Sequence, residues 1–231
     1  MSPTLKERQL KTLLGIHHQD CIHGMKKISD NLVDMVLTDV PYGMNFQSNY
    51  RKEKHIKISN DDNLDWLPSW IKEIDRIAKD EAHLYIFCSH HNIEIFKAEI
   101  QKYRKVKNII IWEKNNTGMG DLLGDYAPKY EFVLFCSSGV KKLNGGRDNN
   151  IIKASRTQND LHPTEKPIDL MEFFIGKSSK ENDIVLDTFA GSGSTLVAAK
   201  GMNRRYIGYE IETIHYDTAN KRLEQVQGSL F

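Results

Sequence analysis

The sequence predicts an α/β domain: an open, mostly parallel sheet of seven strands with helices on both faces. Three observations predict it. Short apolar runs rich in Ile, Val, Leu, Phe and Tyr recur along the chain, as strands buried on both faces require. Segments with helical spacing fall between them, and that alternation is what a parallel sheet needs. One run, Ile184, Val185 and Leu186, ends in Asp187 and leads into a glycine-rich turn, Gly191, Ser192 and Gly193, and then a helix-like run from Thr195 to Lys200. Strand, tight turn and helix in that order let backbone approach a ligand at the carboxyl end of a strand.

The strands are expected at residues 15–19, 33–38, 83–88, 106–112, 131–136, 184–187 and 205–209. Helices are expected at 66–79, 92–101, 168–177, 194–201 and 213–225. In the first of these, Trp66, Trp70, Ile71, Ile74, Ile77 and Ala78 fall on one face, Asp and Asn residues precede it, and Pro68 fits only in its first turn. The exception to the alternation is 106–136. Its two strands are separated by a Gly-, Asn- and Asp-rich stretch without helical spacing, so an antiparallel pair is expected there. Two long irregular segments remain, 43–63 and 137–161; loops of that length in a compact domain are usually functional or mobile.

Composition narrows the classes. A chain of 231 residues is long enough for one α/β domain and short for two. No apolar run approaches the roughly 20 residues that span a bilayer, and the first residues lack the apolar core of a secretory signal, so a cytoplasmic protein is expected. The three cysteines, Cys21, Cys88 and Cys136, lie far apart at the ends of apolar runs. That spacing fits buried thiols better than a metal site or a disulfide framework, and no metal is expected. A net charge of +1 decides nothing, because nucleic-acid binding needs only a local basic face. Basic clusters occur at Arg51, Lys52, Lys54 and Lys57, and at Lys141, Lys142, Arg147, Lys153 and Arg156, both in irregular segments suited to DNA contact. A third, Lys102, Arg104, Lys105 and Lys107, reads as a solvated face.

A second polar turn ends another apolar run: Val36, Leu37 and Thr38 lead to Asp39, Val40, Pro41 and Tyr42. A third segment, His162, Pro163, Thr164, Glu165, Lys166 and Pro167, precedes the glycine-rich strand. These segments resemble the motifs of S-adenosylmethionine-dependent DNA amino-methyltransferases of the β group, which act on adenine or on the 4-amino group of cytosine. The segment from Phe189 to Gly193 resembles their cofactor motif. Asp39 to Tyr42 resembles their catalytic motif, Asp/Asn/Ser-Pro-Pro-Tyr/Phe/Trp, and the His-Pro-Thr block matches one permuted subgroup. The resemblance covers nearly the whole chain, from Leu13 to Leu223.

The resemblance implies a Rossmann-like methyltransferase fold of seven strands with one reversed at the edge. It implies one catalytic domain over 1–231, with a short target-recognition insert at about 137–161. S-adenosylmethionine is the cofactor it implies, and DNA the partner; a homodimer and a cognate restriction endonuclease stay open, and the source would be bacterial or phage. Residues implied at the cofactor are Asp20 with Cys21, Asp39, His162, Pro163, Thr164, Lys166, Asp187, Phe189, Gly191, Ser192, Gly193, Ser194, Thr195 and Glu210. Glu210 ends an apolar run about 20 residues after the glycine turn, where a carboxylate can take both ribose hydroxyls; its plainer reading is a helix-capping acid. Asp20 also has a capping alternative, compatible with its role toward adenine. Lys166 and Thr164 would lie near the methionine tail, and Asp187 and Phe189 would flank the sulfonium and the adenine.

At the catalytic turn, the Asp39 carboxylate and the Val40 carbonyl would accept the hydrogens of an exocyclic amino group, and Tyr42 would stack on a flipped base. Val40 stands where the family usually has proline. Its carbonyl remains and Pro41 still favours an extended Val40, but the fixed torsion is lost. Adenine is expected over cytosine, because Asp in the first position is more typical of adenine enzymes. The alternatives are a catalytically weak DNA- or cofactor-binding homologue and a methyltransferase for RNA or a small molecule. A nicotinamide enzyme is disfavoured: the third glycine of Gly-x-Gly-x-x-Gly would fall at Leu196, and no phosphate-binding Gly-x-x-x-x-Gly-Lys-Ser/Thr loop occurs.

Overall fold

The computed structural model describes residues 10–42, 63–117, 123–156 and 165–226. In chain order the elements are β1 (Gly15–His18), α1 (Cys21–Met25), β2 (Val33–Asp39), α2 (Leu67–Ile77), β3 (Ala78–Cys88), α3 (Ile93–Ile100), β4 (Val106–Glu113), β5 (Tyr130–Cys136), β6 (Ile151–Lys153), α4 (Ile168–Ser178), β7 (Ile184–Asp187), α5 (Ser194–Gly201), β8 (Arg205–Glu210) and α6 (Thr213–Gln225). The strands form one sheet in the order β1-β8-β7-β2-β3-β5-β4-β6. The α/β class and the mostly parallel sheet follow the expectation, with two corrections of detail.

The first correction is the strand count. β6 is an eighth strand, paired in parallel with β4 through Ile111↔Ile151, Trp112↔Ile152 and Glu113↔Lys153. It has three residues in a stretch rich in Asn, Gly and Lys, too few to display a period. It also lies inside the stretch expected to be the target-recognition insert, so part of that stretch extends the sheet. The second correction is the place of the reversed strand. β5 runs antiparallel to both neighbours, β3 and β4, and so sits inside the sheet. The hairpin folds back because β5 is the more apolar arm. Val133, Leu134 and Cys136 are fully buried, whereas β4 begins with exposed Lys107 and Asn108.

Alternation along the strands supplies both faces. Val36, Leu84, Ile86 and Leu186 pack under α1, α2 and α3, together with Met25, Trp70, Ile71, Ile74 and Phe96. Met35, Tyr85, Phe87 and Val185 point the other way, against Leu170, Met171, Phe174, Ala198 and Ala199 of α4 and α5. From β7 the chain passes over the second face to β8, and from β2 over the first face to β3. Neighbours β7 and β2 therefore form the topological switch point, where helices leave in opposite directions and a crevice opens beyond the carboxyl ends.

Arg104, expected on a solvated face, is instead 2% exposed. Its guanidinium donates to Asp75 Oδ1 at 2.7 Å and to the carbonyls of Asp75, Ala78, Lys79 and Asp80, closing the α2–β3 junction. Five fixed N–H donors suit arginine to bundling several acceptors at once.

Gly193, the residue before α5, has φ +83°, and a Cβ there would stand 2.9 Å from Ala219 Cβ of α6. Both the backbone and the helix contact demand glycine. Gly193→Ala is expected to lower unfolding stability by about 1–2 kcal/mol from the left-handed backbone alone, read as a lower urea midpoint at unchanged slope. An unchanged midpoint would mean that the turn relaxes freely.

Candidate active site

Two carboxylates end the two strands of the switch point. Asp187 closes β7 and is 3% exposed. Its Oδ1 accepts from Thr38 Oγ1 of β2 at 2.8 Å and from the Phe189 amide at 3.1 Å. Thr38 in turn accepts from the Thr188 amide at 3.2 Å, and Trp70 Nε1 donates to Thr188 Oγ1 at 3.0 Å. Among the described residues Asp187 has no ion-pair partner. Burial pushes its pKa up to about 6, against the hydrogen bonds that favour the charged form.

The glycine turn follows. Gly191 lies at φ +51°, and its amide donates to Glu210 Oε2 at 2.8 Å. Glu210 Oε1 accepts from the Glu212 amide at 2.8 Å, so this carboxylate braces the turn and the start of α6 while each oxygen keeps a lone pair. Phe189 packs edge-on to Trp66, with ring centroids 5.3 Å apart. Ser192, Ser194 and Thr195 are buried in the turn and the first turn of α5. Arg222 of α6 donates to the Ser192 carbonyl at 2.8 Å and to its hydroxyl at 2.9 Å, and pairs with Glu165 at 3.0 Å. Asp20 takes its capping role, accepting from the His23 amide at 2.8 Å. It follows β1, whose last residue, His18, is in register with Glu210. Cys21 is buried, and burial raises its thiol pKa, keeping it protonated.

Asp39 ends β2, and its side chain keeps 22% exposure. Tyr42 donates its hydroxyl to Asp39 Oδ1 at 2.7 Å, and Lys166 places its ammonium on Oδ2. Val40 and Pro41 are buried, Val40 in the core under α2, so its branched side chain is used for packing. Asn92, after β3, donates to the Tyr42 carbonyl and fixes the turn from the next strand. Lys166, expected near a methionine tail, stands here between two carboxylates: Asp39 and Glu131, whose Oε2 is 3.3 Å away. Its ammonium also lies 5.2 Å from the centre of the Phe87 ring. His162, Pro163 and Thr164, and the segment 43–62 after the catalytic turn, lie outside the described residues.

Glu131, Lys114, Asn92 and Arg222 are the residues that sequence reasoning missed. Glu131 stands second in the reversed strand β5. Because β5 runs backwards, its amino end lies beside the carboxyl ends of β3 and β4, with Cys88↔Phe132 and Glu113↔Tyr130 in register. A search of strand carboxyl ends passes over it. Lys114, one residue beyond β4, pairs with Glu131 Oε1 at 2.6 Å. Burial raises the pKa of Glu131, but Lys166 and Lys114 outweigh it and hold the group below its ordinary value. Asp39, sharing one lysine, is pushed up by burial. Burial also opposes the charge on Lys166, but the two carboxylates prevail and raise its pKa. A separate cavity of about 550 Å³ along β1, lined by His17, His18, Lys27 and Tyr216, contains none of the expected site residues.

Comparison with known proteins identifies the family. A family model described as DNA methylase, of the N6/N4 methyltransferase type, matches residues 33–221. The type II methyltransferase M2.DpnII of Streptococcus pneumoniae is 30% identical over 93% of this chain and 91% of its own length. The DNA adenine methyltransferase YhdJ of Escherichia coli is 26% identical over 96% of this chain and 85% of its own. Among solved structures, M1.HpyAVI in complex with SAM aligns with a TM-score of 0.68 and 28% identity, covering 90% of this chain and 98% of that one. The chain belongs to the DNA methylase family of S-adenosylmethionine-dependent N6/N4 amino-methyltransferases.

Proposed function

We propose that this protein methylates the exocyclic amino group of a base flipped out of duplex DNA, with adenine N6 preferred to cytosine N4. The observation that carries the reading is the half-buried Asp39 carboxylate at the switch point, one strand from the Asp187–Gly191 turn. An exocyclic amino nitrogen is a poor nucleophile because its lone pair is delocalised into the ring. Asp39 and the Val40 carbonyl accept its two hydrogens and turn the lone pair outward. A fixed acceptor also stabilises the positive charge that builds on nitrogen as the N–C bond forms and the S–C bond breaks. That nitrogen then sheds one proton, with the carboxylate nearest to receive it. The preference for adenine is supported by aspartate at the first catalytic position and by the relative YhdJ, which is called an adenine methyltransferase.

S-adenosylmethionine supplies a methyl group on a positively charged sulfur. The residues present suit it. Asp187 is a buried carboxylate with hydrogen-bond donors but no cation of its own among the described residues, which fits a cationic ligand. Glu210 presents a braced carboxylate for a pair of hydroxyls, and Gly191 leaves the turn open to close approach. Phe189 would lie against the adenine. Asp20, Cys21, the turn residues Ser192 to Thr195, Lys166 and the His162–Thr164 block complete the proposed cofactor residues. The insert at about 137–161 is proposed to read the target sequence, using Lys141, Lys142, Arg147 and Arg156 on phosphates and base edges. The curated relative named as a type II methyltransferase supports a role beside a cognate restriction endonuclease.

Asp39→Ala is expected to lower single-turnover methyl transfer by about 10²–10³-fold, the loss of one preorganised acceptor, with cofactor affinity by calorimetry little changed. Transfer near the wild-type rate would move the chemistry away from this turn. A second expectation follows from Asp187, whose pKa stands at about 6. The carboxylate form favours a cation, so cofactor affinity is full above that pH and falls as pH drops through it, at most about tenfold per unit. Calorimetry at pH 7.5 and pH 5 checks this, and equal affinities would remove Asp187 from the cation site.

A further inference from the structure

Both oxygens of Asp39 are already occupied: Oδ1 by the Tyr42 hydroxyl at 2.7 Å and Oδ2 by the Lys166 ammonium. An amino group arriving at Asp39 must displace or share these donors. Each has the same second acceptor. Glu131 Oε2 lies 3.3 Å from Lys166 Nζ and 3.3 Å from the Tyr42 oxygen. The other oxygen of Glu131 is held by Lys114 at 2.6 Å. Lys166 is only 7% exposed, so its ammonium has little water to fall back on. A buried ammonium that lost Asp39 without a replacement would resist the exchange.

We infer that Glu131 is a positioning residue of this site: it is the acceptor to which Lys166 and Tyr42 turn when a target amino group takes up Asp39. The inference rests on the reading that Asp39 receives that group. The charges balance throughout, since two lysines, Lys166 and Lys114, face two carboxylates, Asp39 and Glu131. The exchange only moves hydrogen bonds within the cluster. Lys114 pins Glu131 so that the acceptor stays in place, while its lone pairs on Oε2 serve the two mobile donors. Among the described residues, the remaining titratable groups around Asp39 are Cys88, a buried thiol with its pKa pushed up to about 12, and Asp187 on the neighbouring strand.

Glu131→Gln keeps the shape and removes the charge. Four readouts are expected. Single-turnover methyl transfer falls about 100-fold, the scale of a misplaced reacting group, while cofactor affinity stays within about twofold. The acid limb of kcat/KM moves to lower pH, because the charge of Glu131 no longer opposes ionisation of Asp39 or competes with it for Lys166. The Asp39 carboxyl, followed by carbon-13 NMR without DNA, titrates lower in the variant by the same amount. Glu131→Asp, which keeps the charge, returns the acid limb to its wild-type position and restores part of the rate. A rate and acid limb unmoved in Glu131→Gln overturn the inference, as does a loss of rate explained by loss of folded protein with Asp39 titrating as before. The NMR arm needs no turnover. A wild-type protein that transfers no methyl group therefore defeats the proposed function, while the titration still decides whether Glu131 governs Asp39.

Discussion

The site depends on the seam between β2 and β7. Only Met35↔Val185 and Val36↔Leu186 pair there before the strands part, and beyond that point the Thr38 hydroxyl takes over, bridging to Asp187 and Thr188. One short side chain thus carries the sheet across its switch point and sets the spacing of Asp39 and Asp187. The helices that follow the two strands leave on opposite faces, and a crevice opens beyond the carboxyl ends of the strands between them. The buried hydrogen bonds hold the ends of both strands and leave the two carboxylates facing it.

Putting two acids side by side in a weakly solvated place has an electrostatic cost, and the structure meets it differently on each side. Asp39 has a lysine, which Glu131 shares and Lys114 balances. Among the described residues Asp187 has only hydroxyl and amide donors, and burial raises its pKa. The first arrangement is self-sufficient and suits a group that must hold a neutral amino group. The second is incomplete and suits one that waits for a cation. The asymmetry separates a substrate side from a cofactor side within one crevice, and it follows from Glu131 at the amino end of β5, Lys114 just after β4 and Lys166 just before α4.

Much of this was legible in the sequence because it was local. The runs ending in Asp39, Asp187 and Glu210 and the left-handed Gly191 and Gly193 are written in a few consecutive residues, and most strands and helices follow from their own period; the five-residue α1 and three-residue β6 do not. What was not legible is pairing. β6 is too short to have a period, and the choice of β5 over β4 for the interior depends on which arm buries more. Arg104 reads as one of four basic residues until the carbonyls at the end of α2 are seen around it. Lys166 was found from its motif, but the charge network around it was not, because Glu131 lies at the amino end of a reversed strand and Lys114 beyond the end of another. Charge networks across strands have no sequence signature of their own; topology creates them.

The most direct measurement is the identity of the modified nucleoside. DNA from cells expressing this chain, digested to nucleosides and analysed by mass spectrometry, should contain N6-methyladenine above the host background, and cells expressing Asp39→Ala should not. N4-methylcytosine in its place would keep the chemistry and change the base. A methyl group on cytosine carbon-5, or no new methylated nucleoside from a folded, cofactor-binding protein, would contradict the account.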